Sequence, residues 1–455
     1  MDRPKKDVAV FILAGGKSSR MGMCTPKVLM PVGGRPMIFS VLEAAQSYGG
    51  KDIYIVVSPQ VKTHLEGEKV HLVVQEETLG TGHAFGLALE AAAGNDPDIA
   101  LKKIVVLLGD TPLITSADMA NLLKGSAHTD VLVVGMCPPC PDGYGRLYLK
   151  DGCLTGIVES KDATEVEKQI NLCNTGVMCL DGNFALNAIS RLVPSAITGE
   201  WYLTDLVQYA ERSGYIVGAW ENFRGINTRQ ELVQAEAAMQ QRFRQRALDD
   251  GAYLMSPETT FLSYDTQCAG DVVIYPMVCC GPGVILDEGV TIYSGSMLER
   301  CHIKKSSRVG PFARIRAGTV LGPFGEIGNF VETKNATIGH FSQVKHLSYI
   351  GDAVLGDHVN IGAGVITCNY DGHVKNMTQL DDGVFVGSHT AFIAPVHVGK
   401  NSTIGAGSVV TKSVDSHTLA LSRAEMRTIP LRANSKHLTR CKKGISQTYE
   451  QEKTQ

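Results

Sequence analysis

"IGDAVLGDHVNIGAGVI", residues 350–366, places an aliphatic residue directly before a glycine at Ile350, Leu355 and Ile361. The same pair recurs upstream at Val309, Leu321, Ile327 and Ile338 and downstream at Val386, Val398 and Ile404. The gaps are multiples of six or one residue short, except across the step that contains "CNYDGHVK", residues 368–375. This hexapeptide cadence points to a parallel β-helix. Each aliphatic side chain enters a stacked core, and the following glycine is expected to turn the corner. A β-sandwich would space its strands and turns by about 8 to 12 residues instead. The cadence does not give the hand of the coil, since parallel crossovers are right-handed in about 98% of cases. The "CNYDGHVK" segment interrupts the hexads and reads as a loop leaving the coil.

Upstream, residues 228–251 read as a linking helix. Thr228 and Glu231 have capping-box spacing, Leu232, Ala235, Met239, Phe243 and Ala247 form one apolar stripe, and Gly251 stops it. Further back, "VAVFIL" (8–13), "DIYIVV" (52–57), "HLVVQ" (71–75) and "KIVVLLGD" (103–110) are short, β-branched and apolar on both faces, as strands of a buried parallel sheet are. Between them, residues 37–49 and 82–94 carry apolar residues at helical spacing and end in glycine. The alternation predicts an α/β, doubly wound, Rossmann-like domain with ligands beyond the carboxyl ends of its strands, where "LAGG" and "LLGD" fall.

The loop in "FILAGGKSSRMG", residues 11–22, is neither of two familiar phosphate binders. A P-loop needs glycine where Phe11 stands, and the dinucleotide fingerprint needs one where Lys17 stands. The bulk composition sets limits. With 455 residues, 44% hydrophobic and 20% charged, the chain can bury the cores of at least two domains. A net charge of -3 gives no general reason to expect nucleic acid or membrane as partner. The absence of a spanning apolar run, and of a secretion-signal apolar region in "MDRPKKDVAV", leads to the expectation of a soluble cytoplasmic protein. The 12 cysteines are expected as reduced thiols, and Cys137 with Cys140 makes only a weak CxxC.

In order along the chain stand "LAGGKSSRMG", "PKVLMPVGGRPM", "QEETLGTGHA", "LLGDTPLI", "GYGRL", "GIVESKDA", "NTGV" and "GIN", then "GPFARIRAG", "GNFVETK", "KHLSYIGDA", "NIGAGVITCNYDG", "VFVGS" and "ALSR". On these motifs the chain resembles, over nearly its whole length, the bifunctional bacterial enzymes that are both N-acetylglucosamine-1-phosphate uridylyltransferase and glucosamine-1-phosphate N-acetyltransferase. The resemblance implies a left-handed coil and a division into a uridylyltransferase domain (1–227), the linking helix (228–251), an acetyltransferase domain (252–426) and a polar tail (427–455).

For uridylyl transfer the resemblance assigns Leu13, Ala14, Gly15, Gly16, Leu108 and Gly109 to the nucleotide, with Arg20 and Lys27 on the triphosphate. It assigns Gln75, Gly80 and Thr81 to uracil, and Gly145, Glu159 and Asn174 to the N-acetylated sugar. Asp110 and Asn227 are the implied magnesium ligands; otherwise Asp110 would read as a helix N-cap and Asn227 as a turn residue. The chain departs from the family pattern at Gly15, where Ala is usual, at Ser18 and Ser19, where Gly and Thr are, and at Leu108, often Tyr.

For acetyl transfer from acetyl-CoA, His346 matches the catalytic base. Arg316, Lys334, Tyr349, Asn360 and Lys375 match the sugar-phosphate ligands, and Ala363, Asn369, Tyr370, Ser388, Ala406 and Arg423 the acetyl-CoA channel. Homotrimers and a role in supplying UDP-N-acetylglucosamine for peptidoglycan and lipopolysaccharide also follow from the resemblance. The tail reads as a flexible end or as a binder of CoA phosphates. Two other classes share these folds. A monofunctional pyrophosphorylase that uses its coil for assembly would lack the His, Lys and Arg set, and a non-catalytic scaffold would not need Asp110, Lys27 and His346.

Overall fold

The computed structural model describes residues 7–16, 25–49 and 52–430. The N-terminal sheet runs in the order Ser213–Val217, Val131–Met136, Cys173–Asp181, Lys103–Leu108, Val8–Ala14, Ile53–Val57, His71–Val74. The four strands expected from sequence are mutually parallel, and every residue of the central Val8–Ala14 is buried. Chain order reverses between Val8–Ala14 and Lys103–Leu108, so the carboxyl ends of these two strands open the crevice where α/β sheets bind ligands. Gly109 N donates to Leu13 O at 2.9 Å there. A Cβ on Gly109 would lie 2.8 Å from that of Ala14, so the two strand ends approach as closely as glycine permits.

Cys173–Asp181 is antiparallel to both neighbours and carries the hairpin Arg146–Lys150/Cys153–Val158 beside it. Alternation of apolar runs does not reveal this reversal, because a strand buried on both faces reads alike in either direction.

From Tyr253 onward the chain winds as a left-handed parallel β-helix. Through most of the coil a residue pairs with one 17 or 18 positions on, as in Val273↔Thr291 and Thr291↔Arg308. One coil is therefore three hexads, or two hexads and a pentad, which accounts for the gaps one residue short. The first paired segments, Tyr253–Leu254 and Gln267–Cys268, precede the start of the aliphatic–glycine cadence.

Except at Gly310, the glycines after the core residues do not turn the corners. Gly310 has a positive φ. At Gly328 and Gly362, as at most of the others, glycine is needed because the next coil passes directly over it. A Cβ on Gly328 would come within 2.7 Å of the Lys345 carbonyl carbon, and one on Gly362 within 2.8 Å of that of Gly387. The left-handed residue falls three positions after the core residue in a hexad, at Phe330 (φ 55°), Phe341 (55°), His389 (56°) and Asn401 (56°). Each such non-glycine residue costs roughly 1–2 kcal/mol. Stacking of the rings that project from these corners offsets part of it: Phe324 on Phe341 at 5.0 Å, Phe341 on His358 at 5.3 Å and Phe312 on Phe330 at 5.5 Å.

The helix Arg229–Asp249 begins at a formed capping box between Thr228 and Glu231, and Ala235, Met239, Phe243 and Ala247 are buried. They share one apolar cluster with Val32 and Leu113 of the sheet half and with the whole coil core. Gln240 joins the helix to the coil edge reciprocally: its Nε2 donates to Leu262 O at 2.7 Å and its Oε1 accepts from Leu262 N at 2.9 Å. On the other side, Glu236 accepts from Gly33 N at 2.7 Å. Among the described residues no helix is long and apolar enough to cross a membrane.

Candidate active sites

At the crevice, Gly15 and Gly16 continue the strand that holds Leu13 and Ala14. Arg20, with the Ser18 and Ser19 departures, lies outside the described residues. Lys27, in the turn Lys27–Leu29, forms an ion pair with Asp110 Oδ2 and donates to Asn227 Oδ1 at 2.9 Å. One ammonium thus sits between the two residues expected to hold a cation. The other oxygen of Asp110, Oδ1, is buried without a hydrogen-bond partner among the described residues. Asp110 caps no helix, because the next one, Ser116–Gly125, has its own capping box of Thr115 and Asp118. Asn227 lies immediately before the linking helix, where Glu231 Oε2 accepts from its backbone N at 2.6 Å. Its side chain is left to face Lys27. No group of three or more His, Cys, Asp or Glu suited to a metal occurs among the described residues.

Gln75 is buried at the end of His71–Val74, and its Nε2 lies 3.1 Å from His83 Nδ1. Gly80, at φ 112°, crosses so close to the Trp201 backbone that only glycine fits. The Thr81 hydroxyl accepts from Leu203 N at 3.1 Å.

The three expected sugar ligands converge. Asn174 N donates to Gly145 O at 2.8 Å, and a Cβ on Gly145 would lie 3.3 Å from Glu159 Oε2. Burial raises the Glu159 carboxyl above its usual pKa. The Thr204 hydroxyl, 2.9 Å from Oε1, opposes the shift, and the charges of Asp205, Asp162 and Glu200 add to it. Thr204 is a partner of Glu159 that sequence reasoning missed. Leu108 packs against Gly176, whose φ is 79°.

In the coil, His346 stands one turn above Asn329, and its Nδ1 lies 2.8 Å from Asn329 Oδ1. Asn329 was likewise not singled out from sequence; the signal was its register, 17 residues before the histidine. The ladder pairs Val344 with Ile361, Ile361 with Val386, and Val386 with Ile404. His346, Ala363, Ser388 and Ala406, each two residues further on, therefore stack in one column on successive coils. Arg423 lies alongside Gly407 at its upper end.

The cations form a second group. Arg316 Nη1 donates to Glu332 Oε1 at 2.8 Å, and Lys375, within hydrogen-bonding reach, together with Arg316 pushes the Lys334 ammonium below its usual pKa. Tyr349 pairs in register with Glu332, and Asn360 pairs with Gln343, which begins the strand ending at His346. The ladder step from Asn360 to Phe385 is 25 residues, eight more than a 17-residue coil, and those eight are the loop 369–376. In it Asn376 N donates to Asn369 O at 2.7 Å, and Tyr370 pairs with Lys375. Asn369 Nδ2 also bonds Asp352, which accepts from Asn335 Nδ2 at 2.6 Å, so the loop is tied to two coils.

A crevice at the switch point of an α/β sheet, joined to a hexapeptide coil with an imidazole at the foot of a long column, defines a two-site group-transfer enzyme. Residues 10–150 match the MobA-like NTP transferase domain family. The bifunctional protein GlmU of Paramagnetospirillum magneticum is 41% identical over 91% of this chain and 93% of its own length. That of Bradyrhizobium sp. is 43% identical over 92% and 94%, and that of Bartonella bacilliformis 38% identical over 95% and 98%. The chain belongs to the bifunctional GlmU family, and its activities are uridylyl transfer and acetyl transfer.

Proposed function

We propose that residues 252–426 acetylate glucosamine-1-phosphate with acetyl-CoA, and that residues 1–227 then join the product to UMP from UTP, releasing pyrophosphate and UDP-N-acetylglucosamine for the cell envelope. The coil register carries this reading. It stacks His346 with Ala363, Ser388 and Ala406 over three coil steps, roughly 14 Å at about 4.8 Å each, a length that suits an extended thioester arm. With Nδ1–H donating to Asn329, the tautomer assigned from that partner, Nε2 keeps a lone pair. The sugar amine attacks the thioester carbonyl, Nε2 accepts the amine proton, and the CoA thiolate leaves and is protonated. Arg316, Lys334 and Lys375 hold the sugar phosphate, whose charge relieves their mutual repulsion. Asn360 and Tyr349 flank the sugar, Asn369 and Tyr370 line the arm, and Arg423 meets its far end.

In the crevice a phosphate oxygen of N-acetylglucosamine-1-phosphate attacks the α-phosphorus of UTP and pyrophosphate leaves, a reaction governed by positioning and charge. The strand ends at Leu13, Ala14, Leu108 and Gly109 shape the pocket, and the N–H groups of Gly15 and Gly16 beyond them, with Lys27 and Arg20, cradle the nucleotide. Gln75, Gly80 and Thr81 face the base, and Gly145, Glu159 and Asn174 the sugar. Asp110 and Asn227 would hold magnesium. The unpartnered buried Asp110 Oδ1 fits that role, and so does a set of few protein oxygens, since magnesium keeps water and phosphate ligands. Bound there, magnesium neutralises charge on the phosphates.

We place the enzyme in the cytoplasm as a homotrimer. Beside the His346 column runs an exposed apolar one of Phe312, Phe330 and Leu347, at 50%, 57% and 61% exposure, suited to burial against a second copy next to the site. Incubation with glucosamine-1-phosphate, acetyl-CoA, UTP and magnesium should yield UDP-N-acetylglucosamine by mass, and omission of acetyl-CoA should abolish it. UDP-glucosamine as the main product would reverse the order of steps.

A further inference from the structure

We propose that His83 is a positioning residue that fixes the carboxamide of Gln75 and thereby makes the crevice select uracil over cytosine. The inference rests on the reading above that Gln75 faces the base.

Gln75 is 3% exposed, and its backbone N is held by Val57 O at 2.9 Å, so it has little freedom to move as a unit. What remains open is which end of its amide faces which way, since the oxygen and the nitrogen have nearly the same shape. Two neighbours decide it. On one side stands His83 Nδ1, 3.1 Å from Nε2. A neutral imidazole with its proton on Nε2 presents a lone pair at Nδ1 and accepts the amide N–H. On the other side lies Gly15, at the start of the nucleotide loop, where an added Cβ would run into Gln75 Oε1. Glycine at this position leaves the carbonyl oxygen room to turn toward the loop. His83 is itself fixed, because it lies in the first turn of Thr81–Asn95, and Gly82 N donates to Trp201 O at 2.7 Å beside it.

The chemistry follows from the two bases. Uracil offers an N3–H donor between two carbonyl oxygens, whereas cytosine offers a bare N3 acceptor beside an amino group. An amide held with Oε1 toward the base accepts from uracil N3–H and meets the lone pair of cytosine N3. Released from His83, the amide can turn and offer Nε2–H to cytosine instead. A site built around one such hydrogen bond discriminates strongly against the base that cannot make it.

The test measures kcat/KM for UTP and for CTP with N-acetylglucosamine-1-phosphate on the full chain. His83→Phe should lower the UTP-over-CTP ratio by about tenfold, because a buried amide donor loses its partner. His83→Ala serves as the smaller change if the ring is not accommodated. His83→Asn, whose Oδ1 can stand in for Nδ1, should keep the ratio within about twofold. A folded His83→Phe or His83→Ala with an unchanged ratio, alongside a Gln75→Ala in which the ratio falls, overturns the inference and leaves Gln75 at the base. A ratio unchanged in Gln75→Ala instead removes Gln75 from the base, and the inference with it.

Discussion

The sheet gathers its chemistry at one place and the coil lays its chemistry out along a line. In the sheet, Lys27, Asp110 and Asn227 come from positions up to 200 apart in the chain and meet at one crevice, at the carboxyl ends of the strands where chain order reverses. In the coil, Asn329, His346, Ala363, Ser388 and Ala406 occur in chain order, one per turn, so a neighbour in space is a neighbour in register. A compact site suits a transfer whose reacting phosphates and cation are bunched together. A column suits a long acyl carrier. The difference also shows how each site can fail: the crevice through one charged residue, the column through its register.

The largest expected effect breaks the crevice alone. Asp110→Asn should cut pyrophosphate release from UTP by about 10³-fold and leave acetylation unchanged. A rate within tenfold of the parent at limiting magnesium would remove Asp110 from the site. Next comes the coil register. Gly328→Ala puts a methyl against the Lys345 backbone, so it should destabilise the coil by about 1–3 kcal/mol and reduce acetylation before uridylyl transfer in a thermal challenge. Phe330→Gly, at a left-handed corner, should be far milder. If the two substitutions behave alike, glycine serves the corners after all. A smaller effect is expected from Asn329→Ala, which frees the imbalance at Nδ1 of His346: acetylation should fall about tenfold in kcat at similar KM, with Asn329→Asp recovering part of it.

The smallest effect concerns Glu159 and depends on pH. Its carboxyl is raised by burial, so the folded protein holds that proton more tightly than the unfolded chain. The resulting destabilisation is absent below the unfolded value of about 4.3 and grows as pH rises through the folded one. Glu159→Gln should therefore raise the melting temperature of the sheet by about 2 °C at pH 8 and by nothing measurable at pH 4, while weakening binding of the sugar phosphate. An equal gain at both pH values would mean that the carboxyl is not the cause.

The coil was the more legible half in the sequence because every hexad repeats the same instruction. Ile327, Ile338, Ile350 and Ile361 each mark a core position, and one misread repeat leaves the rest standing. The reason for the glycines was not legible. Close approach between coils and a left-handed corner both favour glycine, and only coordinates show that Phe330 and His389 take the corners. In the sheet, Val8–Ala14 and Lys103–Leu108 announced themselves as buried apolar runs, but the antiparallel course of Cys173–Asp181 depends on connections that periodicity does not encode. Motifs carried Asp110, His346 and the cations into view. Asn329, Thr204 and His83 stayed hidden because each works on another side chain across a gap in the chain of 17, 45 or 8 residues.

The central claim is that the two chemistries are confined to separate halves, and His346→Ala tests it most directly when both half-reactions are assayed on the same preparation. Acetylation of glucosamine-1-phosphate should fall by about 10² to 10⁴, the usual cost of losing a general base. Uridylyl transfer to N-acetylglucosamine-1-phosphate should stay within about twofold of the parent, with an unchanged melting temperature. Acetylation that survives in the folded variant, or uridylyl transfer that falls with it, would contradict the account.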